Sequence, residues 1–218
     1  MEERVSAQLA LLLRRYPALC PLEEELKAAY EMLKACYAAG GKLIVGGNGG
    51  SCADAEHMVG ELMKGFKLPR RLPEGEQAAL RAADAKLGAA LCEKLQGGLP
   101  AIALSAHPAL NTAYLNDVCG ETMYAQQLYV LGRPGDVFLG ISTSGNAQNV
   151  CYAAVAAKAR GMRVLALSGK TGGALKALAD LSLIMPSSET YQIQELHLPV
   201  YHCLCLMLEE HFFGSHLG

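Results

Sequence analysis

The sequence feature that most constrains the fold is an alternation of short apolar segments with helical segments. Five such apolar segments occur after residue 40, and the first four each end at Gly, Ser, Thr or His. Short apolar runs separated by helices are typical of strands that are buried on both faces of a parallel sheet. The predicted strands are residues 42–46, 101–105, 136–142, 163–168 and 181–185. We therefore predict an α/β protein with a doubly wound, five-stranded parallel sheet and helices on both faces.

Helical segments flank this alternating region at both ends. Apolar residues recur at helical spacing from Val5, so residues 1–40 are predicted to form an N-terminal helical extension, and residues 190–213 a long final helix. Residues 68–98 interrupt the alternation, and we predict there an insertion outside the sheet with one Ala-rich helix. No linker-like segment divides the chain, so residues 1–218 are interpreted as a single domain.

Composition argues against several classes of protein. The 218 residues include 19 Lys and Arg and 21 Asp and Glu, without a basic run, so we expect no nucleic-acid partner. The longest uncharged stretch contains prolines and polar residues and does not fit a membrane span. The first residues do not fit a signal peptide. The eight cysteines form no C-x-x-C pair and are typical of a reducing cytosol, so we expect a cytoplasmic protein.

The turn after the first predicted strand has the composition of an anion-binding turn. Gly46, Gly47, Gly49 and Gly50 allow a ligand to approach the main chain, and Ser51 begins a helix whose free N–H groups favour an anion. The turn fits neither the dinucleotide fingerprint nor the Walker loop, so no nucleotide cofactor is expected.

The turn after the third predicted strand carries three consecutive hydroxyl side chains, Ser142, Thr143 and Ser144, followed by Gly145 and Asn146. Hydroxyl groups together with helix N–H groups suit a phosphate without any Lys or Arg. Taken singly, each turn also fits ordinary turn and helix-cap chemistry. Two such turns at the carboxyl ends of strands in one sheet favour a phosphorylated small molecule as ligand.

Ionisable residues on two helices complete the candidate site. His57 and Glu61 are four residues apart and share one helix face. Gln194 and His202 are about 80° apart on an ideal helix, which is close enough for a shared face. The residues alone allow two chemical roles, an acid–base pair for proton transfer next to a carbonyl or a set of zinc ligands, and any one of them also fits a structural role.

The motifs GGNGGS, ISTSGN and IQELHLPVYH together resemble the SIS-type phosphosugar isomerases, in particular the sedoheptulose-7-phosphate (phosphoheptose) isomerases. The resemblance runs from the N-terminal helices to the last helix and is interrupted by residues 68–98. It implies a homotetramer with active sites at subunit interfaces. It also implies conversion of a ketose phosphate to its aldose isomer through an enediol, here sedoheptulose 7-phosphate to glycero-manno-heptose 7-phosphate.

The same resemblance implies roles for individual residues. Glu61 would be the base that moves a proton between C1 and C2, with His202 as its acid–base partner. The positions that hold zinc in metal-binding members are His57, Glu61, Gln194 and His202. The substrate-binding positions are Asn48, Gly49, Gly50, Ser51, Glu61, Asn116, Asp117, Ser142, Thr143, Ser144 and Gln194.

The chain departs from the family pattern at three positions. Ala147 stands where a further Ser is common, and Gly65 and Gln192 stand where Arg is common. These departures concern the identity of the sugar rather than the type of reaction.

A second hypothesis comes from residues 121–137, which resemble a non-catalytic SIS protein that associates with a replication initiator. Such a phosphosugar-binding or scaffold protein does not need His202. The presence of His57, Glu61 and His202 together favours the enzyme.

Overall fold

The computed structural model describes residues 1–214, and a five-stranded parallel sheet lies at its centre. The strands are β1 (Leu43–Gly47), β2 (Ala101–Ala103), β3 (Val137–Ser142), β4 (Arg163–Ser168) and β5 (Leu181–Ile184). Their order is β2-β1-β3-β4-β5, and every neighbouring pair is parallel. The five predicted strands are confirmed. Because β1 and β3 are neighbours, the two Gly- and Ser-rich turns that follow them leave the same edge of the sheet.

Ten α-helices of the described chain surround the sheet. They are α1 (Glu3–Arg15), α2 (Glu23–Ala38), α3 (Gly50–Met63), α4 (Glu74–Ala83), α5 (Ala85–Lys94), α6 (Pro108–Tyr114), α7 (Met123–Leu131), α8 (Gln148–Ala159), α9 (Gly173–Leu178) and α10 (Thr190–Phe213). The predicted N-terminal helices correspond to α1 and α2, and the predicted final helix to α10.

Two apolar cores lie on opposite faces of the sheet, because successive side chains of a strand point to opposite sides. On β1, Leu43 and Val45 belong to a core that also contains buried residues of α1, α2, α3 and α10. Ile44 belongs to a second core with buried residues of α7, α8 and α9. Both faces of the sheet are therefore covered, which explains why the strands read as continuous apolar runs.

The prediction of one helix in the insertion is wrong, because residues 68–98 contain two helices, α4 and α5. Asp84 lies between the two helices, and its side chain caps the second, since its Oδ1 accepts hydrogen bonds from the N–H groups of Lys86 (2.9 Å) and Leu87 (2.7 Å). The two helices pack closely at Gly88, where a Cβ atom would lie 2.1 Å from the carbonyl oxygen of Leu80.

Two expectations concern the chain as a whole. Within residues 1–214, no helix is long and apolar enough to span a bilayer. All eight cysteines are free thiols. The cytoplasmic location inferred from the cysteine pattern stays a prediction.

Candidate active site

The two turns at the carboxyl edge of the sheet are joined by a pair of amide side chains. Asn48, in the turn after β1, donates a hydrogen bond to Oδ1 of Asn149 (2.8 Å), and Asn149 donates one back to Oδ1 of Asn48 (2.9 Å). Asn149 lies in the first turn of α8 and was not predicted as a site residue. Its partner is 101 residues away in the sequence, so only the pairing of β1 with β3 reveals the contact.

The turn after β1 depends on glycine for its geometry. Gly49 has a positive φ of 56°, and a Cβ atom at Gly47 would lie 2.6 Å from the carbonyl oxygen of Ser51. Asn48, Gly49 and Gly50 are exposed, whereas Ser51 is buried at the start of α3. The turn therefore presents exposed main-chain groups and one amide at the N-terminus of α3, and its predicted contact with an anion stays a prediction.

In the turn after β3, two of the three hydroxyl side chains contact N–H groups of the same turn. The Oγ of Ser142 lies 3.4 Å from the N–H of Ala147, and the Oγ of Ser144 accepts a hydrogen bond from the N–H of Asn146 (3.2 Å). Ser142 is buried, while Thr143 and Ser144 are half-buried. Thr143 and Ser144 are therefore better placed than Ser142 to reach a bound phosphate.

The ionisable residues predicted on α3 and α10 lie together. His57 Nε2 lies 3.1 Å from Glu61 Oε1, and the rings of His57 and His202 are 4.9 Å apart, edge to face. Lys64 donates a hydrogen bond to the other carboxylate oxygen of Glu61 at 3.2 Å. The side chain of Glu61 is only 13% exposed, so this carboxylate lies in a confined, partly dry position. The sequence could not show that α3 and α10 meet here.

Two residues of α10 complete the contact with the site. A Cβ atom at Gly50 would lie 2.7 Å from Nε2 of Gln194, so the amide of Gln194 rests against the first turn. The Nε2 atom of His202 is buried and has no hydrogen-bond partner among the described residues. Burial lowers the pKa of His202, and nearby His57 lowers it further while Glu61 opposes the change. A neutral His202 can accept a proton or donate a lone pair.

Asn116 and Asp117 are not brought to this cluster. They lie in an exposed π-helical turn, Leu115–Cys119, and the side-chain amide of Asn116 donates to Oδ1 of Asp117 at 2.8 Å. Within residues 1–214, neither side chain forms a hydrogen bond or an ion pair with His57, His202 or Glu61. Their predicted role at the substrate stays a prediction.

Asp54 and Tyr201 belong to the cluster although the sequence reasoning missed them. The Tyr201 hydroxyl lies 2.9 Å from Nδ1 of His57 and 3.4 Å from Oδ1 of Asp54. Asp54 is one helical turn before His57, and Tyr201 immediately precedes His202. These positions were the available signal: Tyr201 lies within the motif IQELHLPVYH, but neither it nor Asp54 was assigned a role.

A buried ion pair fixes the end of the helix that carries Glu61. Arg70 donates hydrogen bonds to the carbonyl oxygens of Glu61 (3.0 Å) and Leu62 (2.6 Å), and its Nε donates to Glu209 Oε1 on α10 (2.8 Å). Arg70 and Glu209 are each about 1% exposed. Because the last carbonyl groups of a helix lack partners within the helix, Arg70 acts as a C-terminal cap for α3.

The donor set of the cluster suits a zinc ion. Zinc prefers imidazole nitrogens and carboxylate oxygens, and the unpartnered Nε2 of His202 lies beside the His57–Glu61 pair. Within residues 1–214, however, no three His, Cys, Asp or Glu side chains are already arranged to hold a metal ion. The residues present therefore fit zinc by chemistry, and Gln194 would supply a further oxygen.

The arrangement offers the groups that proton transfer next to a carbonyl requires. A confined carboxylate can act as base, a neutral imidazole can move a hydroxyl proton, and helix N-termini at two turns can hold an anion. The two turns lie at the carboxyl edge of the sheet, which is where ligands bind in open α/β folds, and the cluster of His57, Glu61 and His202 lies further along α3 and α10.

Comparison with known proteins agrees with this architecture. The SIS domain family matches residues 76–169. The chain is 37% identical to the phosphoheptose isomerase of Geotalea daltonii, over 89% of this chain and 88% of that protein, and 39% identical to that of Helicobacter pylori, over 88% and 86%. The structure of the phosphoheptose isomerase of Neisseria gonorrhoeae superimposes with a TM-score of 0.73 and 33% identity, covering 95% of this chain and 98% of that chain.

The fold and the relatives define an SIS-type protein of the phosphosugar isomerase class. Within that class, the chain belongs to the phosphoheptose isomerase family.

Proposed function

We propose that the protein interconverts sedoheptulose 7-phosphate and glycero-manno-heptose 7-phosphate through an enediol. The observation that carries this proposal is the meeting of His57, Glu61 and His202 where α3 packs against α10, the same two helices that meet the first turn through Gly50 and Gln194. The relatives are named phosphoheptose isomerases, which supports a seven-carbon sugar phosphate as substrate.

In the proposed reaction, Glu61 removes a proton from C1 of the ketose and returns it to C2. The C2 oxygen of the ketose must gain a proton and the C1 hydroxyl must lose one as the C1 carbonyl forms, and His202 is proposed to shuttle a proton between these two oxygens. His202 suits this role because its lowered pKa keeps the ring neutral near pH 7. The partial burial of Glu61 supports its role as base, since a confined carboxylate is less strongly solvated.

The proposed substrate site extends from the cluster to both turns. Thr143 and Ser144, with Ser142 behind them, would surround the phosphate. The remaining proposed substrate contacts are Asn48, Gly49, Gly50, Ser51, Asn116, Asp117 and Gln194. The exposed backbone of the first turn and the contact of Gln194 with Gly50 support this assignment.

Zinc is proposed as the cofactor, held by His57, Glu61, Gln194 and His202. When bound, it would supply a Lewis acid that stabilises negative charge on the sugar oxygens. The proton transfers are assigned to the protein side chains.

We also propose a cytoplasmic homotetramer with active sites at subunit interfaces. Large apolar side chains are exposed on neighbouring helices, including Tyr129 (60%) and Val130 (56%) on α7 and Val155 (51%) on α8. Exposed apolar patches of this kind mark protein contacts. Light scattering at micromolar concentration should give about four times the chain mass, and a monomer would contradict the assembly.

The function is tested by incubating the purified protein with sedoheptulose 7-phosphate, with added zinc and with a chelator, and following the aldose by NMR. We expect product from the wild type and none from Glu61→Gln or His202→Ala, while Glu61→Gln still binds the sugar phosphate in calorimetry. Chelation should abolish turnover and zinc should restore it. Binding without turnover by the wild type would instead favour the second hypothesis, a non-catalytic phosphosugar-binding or replication-initiator-associating scaffold.

A further inference from the structure

Behind His57 lies a short chain of hydrogen bonds that the proposed reaction does not use. The Tyr201 hydroxyl is 2.9 Å from Nδ1 of His57 and 3.4 Å from Oδ1 of Asp54. Tyr201 is 1% exposed, so its hydroxyl is shielded from water. In the described part of the chain, these two atoms are its only hydrogen-bond partners.

The direction of these bonds follows from the number of protons available. A Tyr hydroxyl has one proton, and an ionised carboxylate can only accept. Tyr201 is the one hydrogen-bond donor that Asp54 has within residues 1–214, and Oδ2 of Asp54 is buried without a partner. The arrangement that gives Asp54 a donor therefore has Tyr201 donating to Asp54 and accepting from the Nδ1–H of His57, while Glu61 keeps Lys64 as its donor.

We propose that Asp54 and Tyr201 are positioning residues that hold the proton of His57 on Nδ1 and direct the Nε2 lone pair towards Glu61. The hydrogen bond at one ring nitrogen decides which nitrogen carries the proton in a neutral imidazole. His57 Nε2 and Glu61 Oε1 then face each other at 3.1 Å as two acceptors. That pair of acceptors favours a cation between them.

This inference rests on the proposed function, which supplies the reaction and the zinc ion. The hydrogen bonds between His57, Tyr201 and Asp54 do not depend on turnover. A partner behind a metal-binding His fixes the orientation of the ring, and its loss typically lowers metal affinity or activity by about 10- to 100-fold. Tyr201 and Asp54 would act in this way through His57, without touching the substrate.

The direct test is nitrogen-15 NMR of the His57 ring in metal-free protein at about pH 8, above the ordinary His pKa of ~6.5. The signal is assigned by its loss in His57→Gln. We expect the proton on Nδ1 in the wild type. We expect the proton to move to Nε2 in two variants. Tyr201→Phe removes the acceptor of the Nδ1–H group, and Asp54→Ala leaves the Tyr201 hydroxyl free to donate to Nδ1. A wild-type proton on Nε2 would overturn the proposal.

A matched control separates this effect from packing. Tyr37 is another buried tyrosine, and its hydroxyl has no partner among the described residues, so Tyr37→Phe should leave the His57 signal and zinc affinity unchanged. Tyr201→Phe should weaken zinc binding, measured by chelator competition, by about tenfold or more. It should also lower kcat with little change in KM. Equal zinc affinity in the two Phe variants would refute the positioning role.

The outcomes also separate the two proposals. A protein with the predicted His57 proton but no isomerase activity would retain the positioning role and disprove the reaction. An active isomerase with the His57 proton on Nε2 would support the proposed reaction and disprove the positioning role.

Discussion

Replacing Glu209 with Gln should destabilise the protein strongly, because Glu209 balances the buried charge of Arg70. The carboxylate accepts hydrogen bonds from Arg70 Nε and the N–H of Phe66 at Oε1, both 2.8 Å, and from the N–H of Lys67 at Oε2 (2.9 Å). Gln keeps the shape but removes the charge and replaces one acceptor oxygen with a donor.

The size of the effect follows from this burial. Removing one partner of a buried ion pair typically costs about 3–5 kcal/mol. For a chain of this length, each kcal/mol lowers Tm by about 2–4 °C, so the expected decrease is roughly 6–20 °C. Because Arg70 also holds the carbonyl of Glu61, we expect lower kcat in the folded variant.

Thermal unfolding followed by circular dichroism, at one protein concentration, measures the effect. The control is Glu210→Gln, the same change at the next residue, where the carboxylate is only partly buried and accepts a hydrogen bond from Gln8. That variant should shift Tm by no more than a few degrees. Equal Tm values for the two variants would refute the claim that the Arg70–Glu209 pair supports the fold.

Two further substitutions test particular contacts. Burial lowers the pKa of His197 to about 4, below its ordinary value of 6.5, so the unfolded chain takes up a proton between these values and the folded protein does not. The contribution of His197 to the free energy of unfolding is therefore fully present above about pH 6.5 and falls by roughly 3 kcal/mol towards pH 4. His197 Nε2 lies 3.3 Å from the carbonyl oxygen of Ser168, and a Gln side chain can still donate to that oxygen. His197→Gln should therefore lose this part of the pH dependence, measured as Tm against pH. A Cβ atom at Gly50 would displace Gln194, so Gly50→Ala should lower kcat/KM with less than about 1 kcal/mol of destabilisation. The control Gly60→Ala, where a Cβ meets nothing within 4 Å, should leave kcat/KM unchanged and stabilise α3.

The sheet and the turns could be predicted because local features specify them. The strands are continuous apolar runs, and the turns need Gly and hydroxyl residues where the chain leaves the sheet. The insertion was predicted less well. A cap at Asp84 ends one helix and starts another, and this signal was hidden within an otherwise uniform Ala-rich pattern.

The contacts within the candidate site depend on tertiary structure. His57 and Glu61 share one helix, so their proximity followed from spacing alone. The meeting of His57 with His202 requires α3 to pack against α10, and the link from His57 through Tyr201 to Asp54 requires the same packing. No periodicity in the sequence specifies which faces of two distant helices touch.

The most direct test of the central claim is the reaction of sedoheptulose 7-phosphate in D₂O, followed by NMR with the wild type and with Glu61→Gln. If Glu61 carries the proton through an enediol and its carboxyl exchanges with solvent before the proton reaches C2, the wild type forms an aldose phosphate with deuterium at C2, and Glu61→Gln forms no product. Turnover by Glu61→Gln at the wild-type rate would contradict the account.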